Sequence, residues 1–383
     1  MNILYYGSHY WDRGPWFRKQ HFAKNLANRG HKVFYIEMSV SAFRLRKNHK
    51  NKLWKTLFNK VDENITVITP SAFFPFPHSR FIRNMFNRKL VNDIKRYFKK
   101  KGIEEFIFWF NIIPFSNVVP KLGASRTIFD LSDDVPLFYQ LAGDEKRNYV
   151  YSQYLKQAYE LADIAIVTAV KIKEKYQHLT NKEIIVIPNG HSYTSFHGKE
   201  KEPGDVKDIA HPRLGFLGTL FRFTDEEVLE FMIKSRPEYN FVFVGKVEKS
   251  FPLERIKHYK NVHILGPKDK EDVDKYISSF DICLNPFKIH EVNDSVSPLK
   301  VFEYLAFRKH VVSSYMYSLQ KEKISKHIRF GGNKEEQLQI IDEIVKSGDF
   351  VNHIPEEELL EYNWDNLFLQ LAEKVKEQYG FEL

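Results

Sequence analysis

Two short stretches place residue types and spacings that could do chemistry. The first is Ser297-Pro298-Leu299-Lys300-Val301-Phe302-Glu303-Tyr304-Leu305-Ala306. It follows the apolar run Ile282-Cys283-Leu284-Asn285-Pro286-Phe287 and a polar loop from Lys288 to Val296, and it leads into His310-Val311-Val312-Ser313-Ser314. That order reads as a helix opening from a loop at the end of a strand. Ser297 suits the N-cap and Pro298 the first turn. A helix start offers free backbone N–H groups and partial positive charge, which suit a phosphate. Lys300 adds a full positive charge there, and Glu303 lies three residues on, on the same face. The pair could hold a diphosphate and a sugar hydroxyl respectively. An amphipathic helix with a surface Lys/Glu pair would carry the same residues, so the motif alone leaves both readings open.

The second stretch is Phe129-Asp130-Leu131-Ser132-Asp133-Asp134. It puts two adjacent carboxylates, Asp133 and Asp134, after the apolar run Arg126–Asp130, at the carboxyl end of what reads as a parallel strand. Open α/β sheets bind ligands at such ends. Either carboxylate could act as general base on a sugar hydroxyl. A helix or turn cap asks for the same residue type.

The surrounding pattern must position these groups. Asn2–Tyr6 reads as a buried strand ending at Gly7, followed by a polar, aromatic loop to Trp16, a helix from Phe17 to Arg29, and a strand at Lys32–Glu37. This is a β-α-β unit, hence a parallel sheet. The spacing of Gly7 and Gly14 excludes the G-x-G-x-x-G dinucleotide fingerprint after the first strand. Further strands are expected at 106–110, 126–130, 164–168 and 184–188, with a helix around 147–162. The polar stretch 191–212, with Gly198, Pro203, Gly204 and Pro212, reads as a linker. A second α/β pattern follows: strands at 213–217, 240–245, 261–265, 281–286 and 310–314, with helices at 225–234 and 270–279. An amphipathic helix at 363–378 closes the chain. The expected division is 1–190, a linker at 191–212, 213–360, and a last helical segment, 361–383, packing back toward the first domain.

Length supports two domains, since 383 residues exceed what one core ordinarily serves. The single cysteine, Cys283, excludes an intramolecular disulfide and reads as a core thiol. The start of the chain lacks the basic segment of a signal peptide, and no run is long and apolar enough for a spanning helix. These features lead to the expectation of a cytoplasmic protein. The net charge of +9 is uneven: residues 1–190 hold 31 basic and 16 acidic side chains, residues 191–383 hold 27 and 33. Residues 41–101 alone hold 16 basic and 3 acidic side chains, interleaved with large apolar ones. The mixture falls in two segments, 41–60 and 78–101, and such basic amphipathic segments suit an anionic membrane surface, the reading preferred for 41–60. For 84–100 an ordinary helix with solvated lysines and a core stripe fits equally. No signature of nucleic-acid recognition accompanies the charge, so no nucleic-acid partner is expected.

Several segments resemble the nucleotide-sugar glycosyltransferases of the GT-B fold, and most nearly the bacterial enzymes of exopolysaccharide and teichuronic-acid assembly. They are Trp11-Asp12-Arg13-Gly14-Pro15-Trp16-Phe17-Arg18-Lys19-Gln20-His21-Phe22-Ala23, Phe129–Asp134, Ile187-Pro188-Asn189-Gly190 with Phe196, Gly215-Phe216-Leu217-Gly218-Thr219, and Pro298–Ala306. The resemblance implies two Rossmann-like parallel-sheet domains facing across a cleft, and transfer of a sugar from a nucleotide donor, expected to be UDP-linked. It implies Glu303 on the ribose hydroxyls, Lys300 and the Ser297 helix start near the diphosphate, and Gly218 and Thr219 in a phosphate-approaching loop. Asp133 or Asp134 becomes the catalytic carboxylate, and Trp11, Arg13 and Trp16 the acceptor side. Lys246, after a strand, is a second phosphate candidate. Many relatives carry a Glu eight residues before the ribose-binding one; here that position is Ser295. No cofactor and no obligatory metal are expected, the sugar nucleotide being substrate. The acceptor expected is lipid-linked or an oligosaccharide, at the inner face of the cell membrane, in cell-surface polysaccharide synthesis. A catalytically silent sugar-nucleotide or glycan binder and a nucleotide-sugar epimerase remain as alternatives.

Overall fold

A computed structural model describes residues 1–12, 16–38, 55–71, 80–111, 113–195 and 200–383. The chain divides into two compact units. One comprises residues 1–168, 172–187 and 368–383, the other 169–171 and 188–367.

The first unit is built on an eight-stranded sheet. Its strands are β1 (Asn2–Tyr6), β2 (Lys32–Ile36), β3 (Leu57–Lys60), β4 (Ile65–Thr69), β5 (Ile107–Phe110), β6 (Arg126–Leu131), β7 (Ile164–Val167) and β8 (Ile185–Val186). They lie in the order β3-β4-β2-β1-β5-β6-β7-β8. Only β3 pairs antiparallel, with β4. The chain order reverses between β1 and β5, and that is where an open α/β sheet leaves a crevice beyond its strand ends. β1, β5 and β6 are almost continuously apolar and buried, as strands covered on both faces must be.

β3 and β4 add to the expected elements. Ile65-Thr66-Val67-Ile68-Thr69 is a β-branched run whose alternation suits a sheet, and it recruits Leu57–Lys60 as an edge. Residues 57–60 of the basic stretch 41–60 therefore form an edge strand; residues 41–54 of that stretch lie outside the described residues. Along the helix Arg80–Lys101, Phe86, Leu90, Ile94 and Phe98 are buried in the core. That is the core stripe of an ordinary helix. Phe81 and Met85 stay exposed at its start.

The second unit holds β9 (Arg213–Leu217), β10 (Asn240–Val244), β11 (Val262–Gly266), β12 (Ile282–Asn285), β13 (His310–Ser314) and β14 (Ile328–Gly331), all parallel, in the order β11-β10-β9-β12-β13-β14. Taken by appearance this is the 3-2-1-4-5-6 order of the doubly wound nucleotide-binding sheet, with its switch point between β9 and β12. Cys283 lies fully buried in β12, as a core thiol. The stretch expected as a linker packs onto this unit: Val206 and Ile209 join its core beside Ile277 and Phe280, and Asp205 accepts hydrogen bonds from Tyr276 and Lys268. Two apolar residues among many polar ones were enough to anchor it. Among the described residues no helix is long and apolar enough to cross a membrane.

Candidate functional site

In the second unit, the switch point collects the residues singled out around Lys300. Gly218 follows β9 and Gly245 follows β10, with φ of +128° and +139°, a conformation side chains resist. A Cβ on Gly245 would lie 2.0 Å from the Gly218 carbonyl oxygen. The two turns touch backbone to backbone, and the Gly218 N–H donates to the Val244 carbonyl at 2.8 Å.

The helix Leu299–Ala306 is locked to this point. The Leu217 N–H donates to the fully buried Tyr304 hydroxyl at 2.7 Å. Lys300 lies one turn earlier on the same face, so its ammonium comes to the same place. It sits 3.9 Å from the centroid of Phe216 and 4.7 Å from that of Phe287, and 3.4 Å from where a Gly218 Cβ would be. Although its surface is only half-buried, the protein crowding the amine withdraws water and pushes its pKa down to about 7, against the opposing pull of Glu303. Half-buried Glu303 lies near the phenol of Tyr193, whose pKa is raised first by burial and then by that carboxylate. The Tyr193 hydroxyl donates to Asp274 at 2.6 Å.

Ser297 does not cap the helix. Pro298 is the N-cap and offers no side-chain hydrogen bond. The Ser297 hydroxyl instead accepts from the Asn189 N–H at 2.9 Å, and its carbonyl accepts from the Asn189 amide at 2.8 Å. Ser297 therefore anchors the Asn189–Gly190 turn, and among the described residues no side chain caps the helix start. Lys246, the second phosphate candidate, follows Gly245. Its ammonium is largely exposed, 3.6 Å from Glu248, while its backbone carbonyl accepts from the Leu220 N–H at 2.9 Å. Thr219 lies between Gly218 and that contact. Ser295 is buried and donates to the Glu291 carbonyl at 3.3 Å.

In the first unit the two aspartates separate. Asp134 caps the helix Val135–Leu141, accepting from the Leu137 N–H at 3.1 Å. It also accepts from the Tyr176 hydroxyl at 2.6 Å and the Lys175 ammonium at 2.8 Å. Both oxygens are engaged and the residue is 4% exposed, so it is tied into the packing of these elements. Asp133 points instead into a recess of about 210 Å³ shared with Lys19, Asn111, Ser132 and Tyr151. It is accessible from that recess yet crowded by protein. The loss of water raises its carboxyl's pKa, Lys19 opposes the rise and Asp134 adds to it.

Lys19 reaches the recess because its neighbours turn the other way. Buried Arg18 pairs with Asp130 at 3.1 Å and donates to the Ile187 carbonyl at 2.9 Å, and Gln20 accepts from the Phe17 N–H at 3.1 Å. Burial lowers the Lys19 pKa, with Asp133 the chief opposing charge. Trp11 and Trp16 are brought together, their rings 4.9 Å apart, with the Trp16 indole N–H donating to the Trp11 carbonyl at 3.1 Å. Trp11 also meets Tyr35 at 5.0 Å. Arg13 lies outside the described residues. Sequence reasoning missed Lys19, Asn111, Tyr151, Phe216, Phe287 and Tyr304. Only Tyr304 left a signal, its four-residue spacing from Lys300.

Residues 211–341 match the family Glycosyl transferases group 1. TuaH of Bacillus subtilis (strain 168), a proposed teichuronic acid biosynthesis glycosyltransferase, is 24% identical over 235 residues. The match spans 57% of each chain, little more than half the length of that relative. Among solved structures, the chain resembles a sucrose-phosphate synthase from Thermosynechococcus elongatus, with a TM-score of 0.71 at 14% identity over 99% of both chains. It also resembles the E. coli trehalose-6-phosphate protein bound with UDP-2-fluoro glucose, with a TM-score of 0.67 at 11% identity over 98% and 99%. HepE of Anabaena in complex with UDP gives 0.64 at 12% identity over 98% and 100%. Residues 211–341 thus match the model of the group 1 glycosyl transferases, and the chain has the α/β GT-B fold of these solved structures.

Proposed function

We propose that this chain is a glycosyltransferase that draws a sugar from a UDP-linked donor held by the second unit and passes it to an acceptor held by the first, in cell-surface polysaccharide synthesis. The observation that carries this reading is Lys300. A crowded amine stands against the Gly218–Gly245 pair at the switch point of a nucleotide-binding sheet, with uncapped helix amides beside it. Transfer breaks the bond between the anomeric carbon and the diphosphate, and negative charge develops on the leaving oxygen. Pre-placed donors in a dry site stabilise such charge by about 3 kcal/mol each. Lys300 and the helix amides offset this charge from the chain itself, and the reaction as proposed calls for no metal. Glu303 takes the ribose hydroxyls, and Asp133, not Asp134, faces the acceptor hydroxyl. The names of the relatives, TuaH and the UDP-bound structures, support the polysaccharide and uridine parts of the reading.

The proposed place of work is an anionic membrane face, with a lipid-linked or oligosaccharide acceptor. A groove of about 940 Å³ between β3 and the helix Arg80–Lys101 supports this, with Lys55, Arg88, Arg96 and Lys100 around exposed Phe81 and Met85. Cations beside exposed apolar side chains are the two signals that interfacial binding requires.

The test is a screen of the purified chain against uridine, guanosine and adenosine nucleotides and their sugars, by melting temperature and by nucleotide release. A ligand at 100 times its Kd adds about 2.7 kcal/mol to stability. A rise with uridine ligands, and UDP release that needs an acceptor, are expected. Absence of any rise with uridine ligands contradicts the donor reading, and binding without release favours the silent binder.

A further inference from the structure

Within the second unit, Tyr193 and Asp274 join Glu303 from two other elements. Glu303 stands one turn before Phe307, so the two share a face of the helix Leu299–Ala306 and its C-cap. The Tyr193 ring packs edge-on against Phe307, their centroids 5.4 Å apart and their planes at 87°. That contact sets the phenol beside the Glu303 face, and the Glu303 carboxylate acts on the phenol through space. The Tyr193 hydroxyl donates at 2.6 Å to Asp274, in the first turn of the helix Val273–Ser279. Tyr193, Asp274 and Glu303 are all half-buried, so solvent reaches each of them.

The direction of that hydrogen bond matters. A phenol has one proton to give, and a carboxylate accepts only. A bond this short to a carboxylate is of the strong, charge-assisted kind. The Tyr193 proton is therefore committed to Asp274, and toward any other group the phenol oxygen is an acceptor. Tyr193 and Glu303 thus present two acceptors side by side. A divalent cation asks for more ligands than these, and among the described residues no group of three metal-ligating side chains forms. Two hydroxyls on adjacent carbons supply the complementary pair of donors. Lys300, the proposed partner of the diphosphate, precedes Glu303 by about 4.5 Å along the helix axis. A pentose joined to that diphosphate carries such a diol on its ring.

We propose that Tyr193 sets ribose specificity in the donor site: its phenol oxygen accepts from one ribose hydroxyl while Glu303 accepts from the other. Asp274 is the positioning residue that holds the phenol proton away from the sugar. This rests on the donor reading and deepens it, because it makes the site one for ribonucleotides and not for deoxyribonucleotides.

The full chain, as wild type, Tyr193→Phe, Asp274→Asn and the double variant, is titrated calorimetrically with UDP, 2′-deoxy-UDP and 3′-deoxy-UDP. Wild type should bind UDP about fivefold or more tighter than either deoxy form, as the loss of one hydrogen bond implies. Tyr193→Phe keeps the ring on Phe307 and should erase the preference at one of the two hydroxyls while keeping it at the other. Asp274→Asn should weaken the preference at that same hydroxyl, and should change nothing further in the Tyr193→Phe background. If Tyr193→Phe melts well below wild type, Asp274→Asn alone decides by the same ratio. Equal binding of UDP and both deoxy forms by wild type overturns the proposal. So does a Tyr193→Phe variant that keeps both preferences, or that weakens all three ligands alike, since a purely structural role would do that; UDP binding then leaves the donor reading standing. An Asp274→Asn variant with both preferences intact overturns the positioning role. No UDP binding by wild type overturns the donor reading and this inference together.

Discussion

The Lys300 ammonium lies 3.9 Å from the centroid of the Phe216 ring, with Phe287 closing its other side. The aromatic faces suit the charge, but the crowding that sets them there holds the amine's pKa at about 7. A diphosphate favours the charged form, so binding takes up a proton. UDP affinity should therefore fall as pH rises above about 7, by at most about tenfold per pH unit. The folded chain meanwhile favours the neutral amine: this cost to stability is full below about pH 7 and fades toward the usual lysine pKa. Calorimetric titration with UDP from about pH 6 to 9, in two buffers of different ionisation enthalpy, reads both slope and proton uptake. A flat profile would show that Lys300 is not the diphosphate's partner.

Tyr304→Phe removes the hydroxyl that holds the Leu217 N–H. A buried donor left alone costs about 1–3 kcal/mol, so the melting temperature should drop. UDP binding should weaken as well, because Gly218 follows Leu217 directly. Unchanged stability would mean that the helix is held to β9 by packing alone.

Asp133→Asn and Asp134→Asn should part company. The second loses charge against Lys175 within a buried set that also includes Tyr176 and the helix cap, and should cost about 1–3 kcal/mol of stability. The first should leave stability within about 0.5 kcal/mol of wild type, as for a residue outside the packed interior, while lowering transfer by about a hundredfold or more. Full transfer by Asp133→Asn would remove that carboxylate from the reaction.

Phe81→Glu combined with Arg88→Glu adds negative charge beside the groove on the helix Arg80–Lys101. Neither side chain belongs to the core stripe of Phe86, Leu90, Ile94 and Phe98. Co-sedimentation with vesicles containing anionic phosphatidylglycerol should fall by about tenfold or more, given about 1 kcal/mol per basic residue near such a surface. Equal sedimentation of wild type and variant would rule this groove out as the membrane face.

Much of the architecture was legible because buried parallel strands announce themselves as apolar runs. Ile3–Tyr6, Phe106–Phe110, Ile164–Val167 and Leu214–Leu217 needed only their composition. The edge was not: Leu57–Lys60 is half polar, and its strand exists because Ile65–Thr69 offers it a partner. Part of the stretch expected as a linker packs on the second unit through Val206 and Ile209, an anchoring that average composition hides. At the site, Lys300 and Glu303 were singled out from helix spacing, and Gly218 from the resemblance of Gly215–Thr219 to a family's glycine loop. Ser297 was misread as a cap because a serine before a helix serves equally to bind a distant turn, here at Asn189. Asp133 and Asp134 are indistinguishable in sequence, and Lys175 and Tyr176, some forty residues away, decide between them. Lys19 was hidden for the same reason. Arg18 and Gln20 turn inward and leave it facing the recess with Asp133.

The central claim is that Lys300 marks the diphosphate site of a sugar-nucleotide donor. Isothermal titration of UDP into wild type and Lys300→Met at about pH 6.5, where the amine is mostly charged, tests it most directly. Wild type should bind, and Lys300→Met should bind about tenfold to a hundredfold more weakly with its melting temperature kept, as expected for loss of a hydrogen bond to a charged group. UDP binding of equal strength to both proteins, or to neither, would contradict it.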